Sequence, residues 1–381
     1  MSRRLPHTVG EYAFAIDRAG GLPAGLRALA RRGVLLAATL VSVPVAGAQA
    51  TSVSVSARLA APAFPSSVSA AGGVVAWASA SGPGHRFAIV VRGGGHDRVL
   101  AATSAVGWID GVKLGTSAGG RQIVVYSRCP HSPFASGSVG AAGTDGCRLW
   151  WARVSGGAAH EIAATPPDTS IGTATDGVVA FAVQPNTAHE RQPARVETAS
   201  LTGRSAHALT VPTPDGAAID DIAASGGQVV FSEALAPSSA DVGTSEVWLD
   251  EGSAAPRLIA RVSSDADPLD DSEQYFDGVT LSAGFVYAFL YSQAGIVPPL
   301  PSQLEQIALP GLATSIVTWT PAGALREDGI EATAFDPSDQ RMVVDLFSPE
   351  SDFSTASASC STHARSARAC PVVQSGPVSF G

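Results

Sequence analysis

The stretch Ile171–Phe181, IGTATDGVVAF, returns five more times with small changes, and that recurrence constrains the fold more than any single residue does. Each copy sets two apolar segments about a tight turn. The turns centre on Gly72-Gly73, Gly119-Gly120, Asp176-Gly177, Gly226-Gly227, Ala283-Gly284 and Asp336-Pro337. Their spacing is about fifty residues, the scale of propeller blades rather than of helical repeats. After each turn comes a β-rich run such as VVAWAS, IVVYS, VVAFAV or RMVVDLF. A third strand follows (RFAIVVR, RLWWARV, SEVWLDE), then a Gly-containing turn and a fourth (RVLAAT, HEIAAT, RLIARV).

Four antiparallel strands repeated six times predict an all-β fold, a six-bladed β-propeller in one domain over residues 51–381. The sixth unit reads IEATAF, RMVVDLF and CPVVQSG and then nearly runs out of chain. TSVSVSARL (Thr51–Leu59) alternates at period two and is expected to supply the missing outer strand, closing the ring. The final PVSFG is the other segment that fits that place. The unit of strand, D-G or G-G turn, V-V-A-F, third strand, Gly turn and fourth strand resembles the repeat of the TolB-type (WD40-like) propellers. The resemblance runs from about Thr51 to Gly381 and implies the propeller architecture. It does not imply an envelope-complex role, because the N-terminal α/β domain of that family has no room here.

Residues 1–50 read as an export signal with a long basic lead. Arg27, Arg31 and Arg32 precede the apolar run Gly33–Ala50, which ends in Ala-x-Ala sites and is short for a membrane span. A retained anchor is the alternative. Loss of this segment takes six arginines and two acids from totals of 24 and 33, leaving 18 basic and 31 acidic residues and a net charge of −13. Such a chain repels phosphate backbones, so nucleic acid is excluded as a partner, and no membrane span is expected in the mature monomer. The four cysteines form two local pairs, Cys129 with Cys147 and Cys360 with Cys370. In an exported chain they are expected as disulfides; zinc spacing and a matching His pair are missing.

Strand parity sorts the connections onto two faces. Turns between strands one and two, and between three and four, share one face and are tight. The other face takes the long segments, including Ser127 to Cys147, Gln184 to Pro193, Leu235 to Thr244, Ser292 to Gln303 and Phe347 to Cys370. Binding loops on a rigid scaffold cluster in this way. On the same face an Asp precedes the first strand of five units: Asp110, Asp168, Asp221, Asp277 and Asp328. Two roles fit them. Each can accept backbone hydrogen bonds in the turn opening its strand, or together they can ring the axis and hold a hard cation such as Ca2+ or a basic ligand group. Two loops add charge of opposite sign. One holds Asp265, Asp267, Asp270 and Asp271, with Asp270 where a calcium loop needs Gly; the other holds His363, Arg365 and Arg368 between Cys360 and Cys370.

Catalytic motifs fail on context. Gly115–Gly119 matches Gly-x-Ser-x-Gly around Ser117, but the following residues read as a strand rather than a helix. His160-Glu161 lacks the second His of a zinc motif. The sequence therefore points to an extracytoplasmic, non-catalytic propeller recognising a protein, peptide or cell-surface glycan on its long-loop face. The rival is a metal-dependent propeller hydrolase of the lactonase or phosphotriesterase sort, using the axial carboxylates.

Overall fold

The computed structural model describes residues 57–60, 67–81, 86–102, 108–130, 146–167, 169–183, 194–209, 217–235, 244–252, 255–263, 273–282, 284–293, 302–319, 329–347 and 372–377. All of them lie in the unit Ala48–Gly381. The described strands pair into six four-stranded antiparallel sheets, and the architecture is that of an all-β propeller. Strand β1 (Ala57–Ala60) stands apart in sequence from the sheet it joins. The first sheet holds β2 (Val68–Ala71), β3 (Val74–Ser81), β4 (Arg86–Gly93) and β5 (His96–Ala102). The second holds β6 (Trp108–Thr116), β7 (Gln122–Cys129), β8 (Arg148–Arg153) and β9 (His160–Glu161). The third holds β10 (Thr169–Thr175), β11 (Val178–Val183), β12 (Arg195–Ser200) and β13 (Ala206–Ala208). The fourth holds β14 (Ala217–Ser225), β15 (Gln228–Leu235), β16 (Thr244–Asp250) and β17 (Arg257–Ser263). The fifth holds β18 (Glu273–Ser282), β19 (Phe285–Gln293), β20 (Ser302–Ala308) and β21 (Thr314–Trp319).

These five sheets are meanders of consecutive strands. The sixth is composite: β22 (Gly329–Asp336), β23 (Arg341–Phe347) and β24 (Val372–Pro377) are completed by β1, which pairs antiparallel with β24 from Ala57↔Ser375 to Ala60↔Val372. The first strands of successive sheets lie side by side, and β22 lies beside both β18 and β2. At that last junction the Gly73 amide donates to Asp336 Oδ2 at 2.8 Å.

The apolar runs in β3, β7, β11, β15 and β19 recur because these second strands are buried on both faces. Ile123 and Val125 of β7 pack with Leu149, Val179 and Phe181 toward the third sheet, whereas Val124 and Tyr126 pack with Ala76, Ile89 and Val112 toward the first. Period two thus feeds two cores from one strand. Small residues set how closely sheets approach. A Cβ on Gly115 would lie 2.1 Å from the Ala174 carbonyl oxygen, so the second and third sheets meet at a distance that side chains forbid.

The acidic regularity before the first strands has a different structural origin from the opening turn expected of it. Asp110, Asp220, Asp221 and Asp277 lie inside the first strands, at a recurrent β-bulge. Asp220 is the unpaired residue between Ile219 and Asp221, Asp277 that between Phe276 and Gly278, and Glu331 that between Ile330 and Ala332. A bulge kinks the strand locally and re-aims its side chains.

Candidate functional site

All six first strands line a central cavity of about 240 Å³. Its wall is mostly small residues and hydroxyls, Ser69, Thr116, Thr173, Thr175 and Thr280 among them, with Tyr287, Phe289 and Phe335 on one side. Lys113 and Asp221 introduce charge. Lys113 Nζ, from the second sheet, reaches Asp221 on the fourth, 2.6 Å from Oδ2 and 2.5 Å from Oδ1, past the first strand of the third. Asp221 Oδ2 also accepts the Val279 amide of the fifth sheet at 2.8 Å. This carboxylate therefore ties three sheets together. The amide it accepts comes from the neighbouring sheet, not from a turn opening its own strand. The first sheet does the same with hydroxyls: Ser67 and Ser69 Oγ accept the amides of Val112 and Leu114 at 2.8 and 2.9 Å.

Beside that ion pair lies a carboxyl cluster that sequence reasoning missed. Burial, together with the charges of Asp277, Asp221 and Glu233, pushes the Asp220 carboxyl up to about 8, and its buried Oδ2 has no hydrogen-bond partner. Glu233 on β15 pairs directly with Glu246 on β16, and Glu246 with Arg261 on β17. Trp248 Nε1 donates to Glu233 Oε1 at 2.9 Å and to Glu246 Oε2 at 3.0 Å, so one indole N–H bridges both acids. Arg261 Nε donates to Glu246 Oε1 at 2.6 Å. Glu233 is fully buried and its Oε2 has no partner. Burial, the neighbouring Glu246 charge and the contact with Glu246 push it up to about 7, against the opposing Trp248 bond. Two adjacent acids with one cation between them are best satisfied by a proton on Glu233. The legible signal was direct cross-strand pairing of Glu233 with Glu246, which requires knowing the register.

Of the expected site residues, Asp221 and Asp277 are brought to neighbouring first strands, and Asp110 lies in β6 with its side chain outside the description. Asp168 and Asp328 fall outside the described residues, as do Asp265, Asp267, Asp270, Asp271, Cys360, His363, Arg365, Arg368, Cys370 and residues 1–50. Among the described residues no group of three or more His, Cys, Asp or Glu is placed to hold a metal ion. Cys129 and Cys147 form a disulfide between two buried positions, closing the connection from β7 to β8 at its base. Ser117 sits in the hairpin turn between β6 and β7, where its amide donates to the Arg121 carbonyl, with no helix behind it. The His160 ring stacks on Trp151 with centroids 4.8 Å apart.

No family model matches the chain, and no curated protein matches it. Solved propeller structures are similar to it. TolB from Acinetobacter baumannii aligns at 10% identity over 81% of this chain and 64% of that chain, with a TM-score of 0.45. A gluconolactonase from Xanthomonas campestris aligns at 14% identity over 80% and 82%, TM-score 0.42. The propeller domain of the trilobed protease from Pyrococcus furiosus aligns at 9% over 77% and 92%, TM-score 0.42. The chain spans 39% of a prolyl endopeptidase that it also resembles. At such identities no activity is carried over.

Proposed function

We propose that the chain is an exported, non-catalytic six-bladed propeller, closed by its N-terminal strand, that binds a protein, peptide or cell-surface glycan on the face opposite its tight turns. The observation that carries this reading is the segregation of connections. Every link between first and second strands is a tight turn, from Ala71 to Val74 in the first sheet to Asp336 to Arg341 in the sixth. The returning face receives the connections from Cys129 to Arg148, Val183 to Arg195, Leu235 to Thr244, Gln293 to Ser302 and Phe347 to Val372. Rigid sheets carrying long loops on one side are a recognition scaffold.

The chemistry near the axis supports hydrogen-bonded recognition over ion capture. Lys113 and Asp221 cancel each other, which leaves the hydroxyls of Ser69, Thr116, Thr173 and Thr175 as the polar groups of the cavity wall. A peptide carbonyl or a sugar hydroxyl suits such groups. A hydrolase would need a metal or a nucleophile–base pair there, and both oxygens of Asp221 already face Lys113.

The test is capture from cell-surface fractions by immobilised protein. It is repeated with residues 131–145 replaced by a short Gly-Ser turn and the Cys129–Cys147 bridge kept. Loss of captured species at unchanged Tm is expected, and identical capture would sink the assignment. A large Tm rise with calcium, abolished by Asp221→Asn with Asp277→Asn, would favour the hydrolase instead.

A further inference from the structure

The tight-turn face holds a second opening, between the third and fourth sheets, and the contacts of the third sheet's turn account for it. The Asp176-Gly177 turn is fastened to the second sheet: the Asp176 amide donates to Thr116 Oγ1 at 2.9 Å and the Gly177 amide to the Thr116 carbonyl at 3.2 Å. A Cβ on Gly177 would lie 2.7 Å from that of Ala118, so the approach is as close as backbone allows. On the other side, a Cβ on Gly226 or Gly227 of the fourth sheet would meet nothing within 4 Å. Small residues on both walls, Ala180, Ala208 and Ala224, leave the gap unfilled, and a cleft of about 760 Å³ results.

That volume and lining are those of a small-molecule site, an apolar hollow with a few polar groups. Val178, 48% exposed, stands at its wall as one of three exposed large hydrophobics among the described residues. Asp176 and Asp250 supply two carboxylates, and among the described residues no Lys, Arg or His lines the cleft. Asp250 Oδ1 accepts the Gly252 amide at 3.1 Å, which fixes its orientation. We propose that this cleft binds a small organic cation with an apolar body, its charged end at Asp176 and Asp250 and its body against Val178, Ala208 and Pro256. The site is separate from the long-loop face and does not depend on the function proposed for that face.

The test is isothermal titration of the full chain with 4-phenylbutylammonium, beside the neutral comparator 4-phenylbutanol. Saturable binding of the cation is expected, with the alcohol markedly weaker. Asp176→Asn keeps the turn, since Asn tolerates the positive φ of 51° at this position, and removes the charge. It should weaken binding roughly threefold to fivefold, the worth of an exposed charge pair. Ala208→Trp, at an exposed strand position, fills the hollow and should weaken binding by at least about tenfold through steric exclusion. Absence of saturable binding, equal affinity for the alcohol, or wild-type affinity in both variants would each overturn the assignment.

Discussion

Raising the pH from 5 to 8 is expected to destabilise this fold through the carboxyl cluster of the fourth sheet. Asp220 and Glu233 are held above the ordinary carboxyl range mainly by burial, to about 8 and about 7. An acid shifted upward keeps its proton in the folded chain after the unfolded chain has lost it. Between the ordinary range, about 4, and those raised values the unfolded state binds fewer protons, so stability falls as pH rises. Below about pH 4 both states are protonated and above about pH 8 both are ionised, so the effect is confined to that window. One proton is worth about 1.4 kcal/mol per pH unit. Ionising one acid opposes ionising the other, so the pair is counted as one net proton, giving about 3 kcal/mol between pH 5 and 7. With an unfolding entropy of about 2.1 cal/mol/K per residue, a unit of roughly 330 residues loses about 4 °C in Tm. Glu233→Gln keeps an acceptor for Trp248 Nε1 and removes one titrating group. Scanning calorimetry of both proteins from pH 5 to 8 should show a shallower fall for the variant and a higher Tm than wild type at pH 8. Parallel curves, or a wild-type Tm that rises over this range relative to the variant, would refute the reasoning.

Other perturbations separate the remaining parts. Lys113→Met leaves Asp221 buried without its cation and should cost about 3–5 kcal/mol in denaturant unfolding, most of it recovered by adding Asp221→Asn. Replacing Cys129 and Cys147 by Ala opens a bridge spanning 18 residues, for an expected loss of about 3 kcal/mol that reducing agent should reproduce in the wild type. Gly115→Ala drives a methyl into the Ala174 carbonyl and should destabilise by about 3 kcal/mol or more, whereas Gly119→Ala, with nothing within 4 Å, should stay within about 0.5 kcal/mol.

Much of the scaffold was legible because propeller strands advertise themselves twice. The doubly buried β7, β11 and β15 announce themselves by the apolar runs IVVY, VVAFAV and VVF, and the Gly-Gly and Asp-Gly pairs mark hairpins whose φ is positive, as at Gly72, Gly73 and Gly177. Outer strands were less legible, because an exposed edge imposes little pattern. HEIAAT and AHALTV read as full strands, yet β9 has two residues and β13 three. The site was legible in residue type and not in geometry. Asp221 and Asp277 stood out as acids near first strands, but a bulge shifts register by one residue and sequence periodicity does not locate it. Nor does periodicity reveal that Asp220 feels the charge of Glu233, or that Lys113 meets a carboxylate two sheets away. The cleft between the third and fourth sheets was invisible for the opposite reason, since it arises from what alanines leave empty.

Partner binding by the long-connection face is tested most directly by site-specific photo-cross-linking on intact cells. A photoactivatable residue is placed at Pro130 or Ser263, exposed positions beside the long connections, and in separate proteins at Arg121 or Thr202, exposed positions in tight turns. Discrete high-mass adducts from the first pair and none from the second are expected. Adducts from Arg121 and Thr202 with none from Pro130 and Ser263 would contradict the assignment of the binding face.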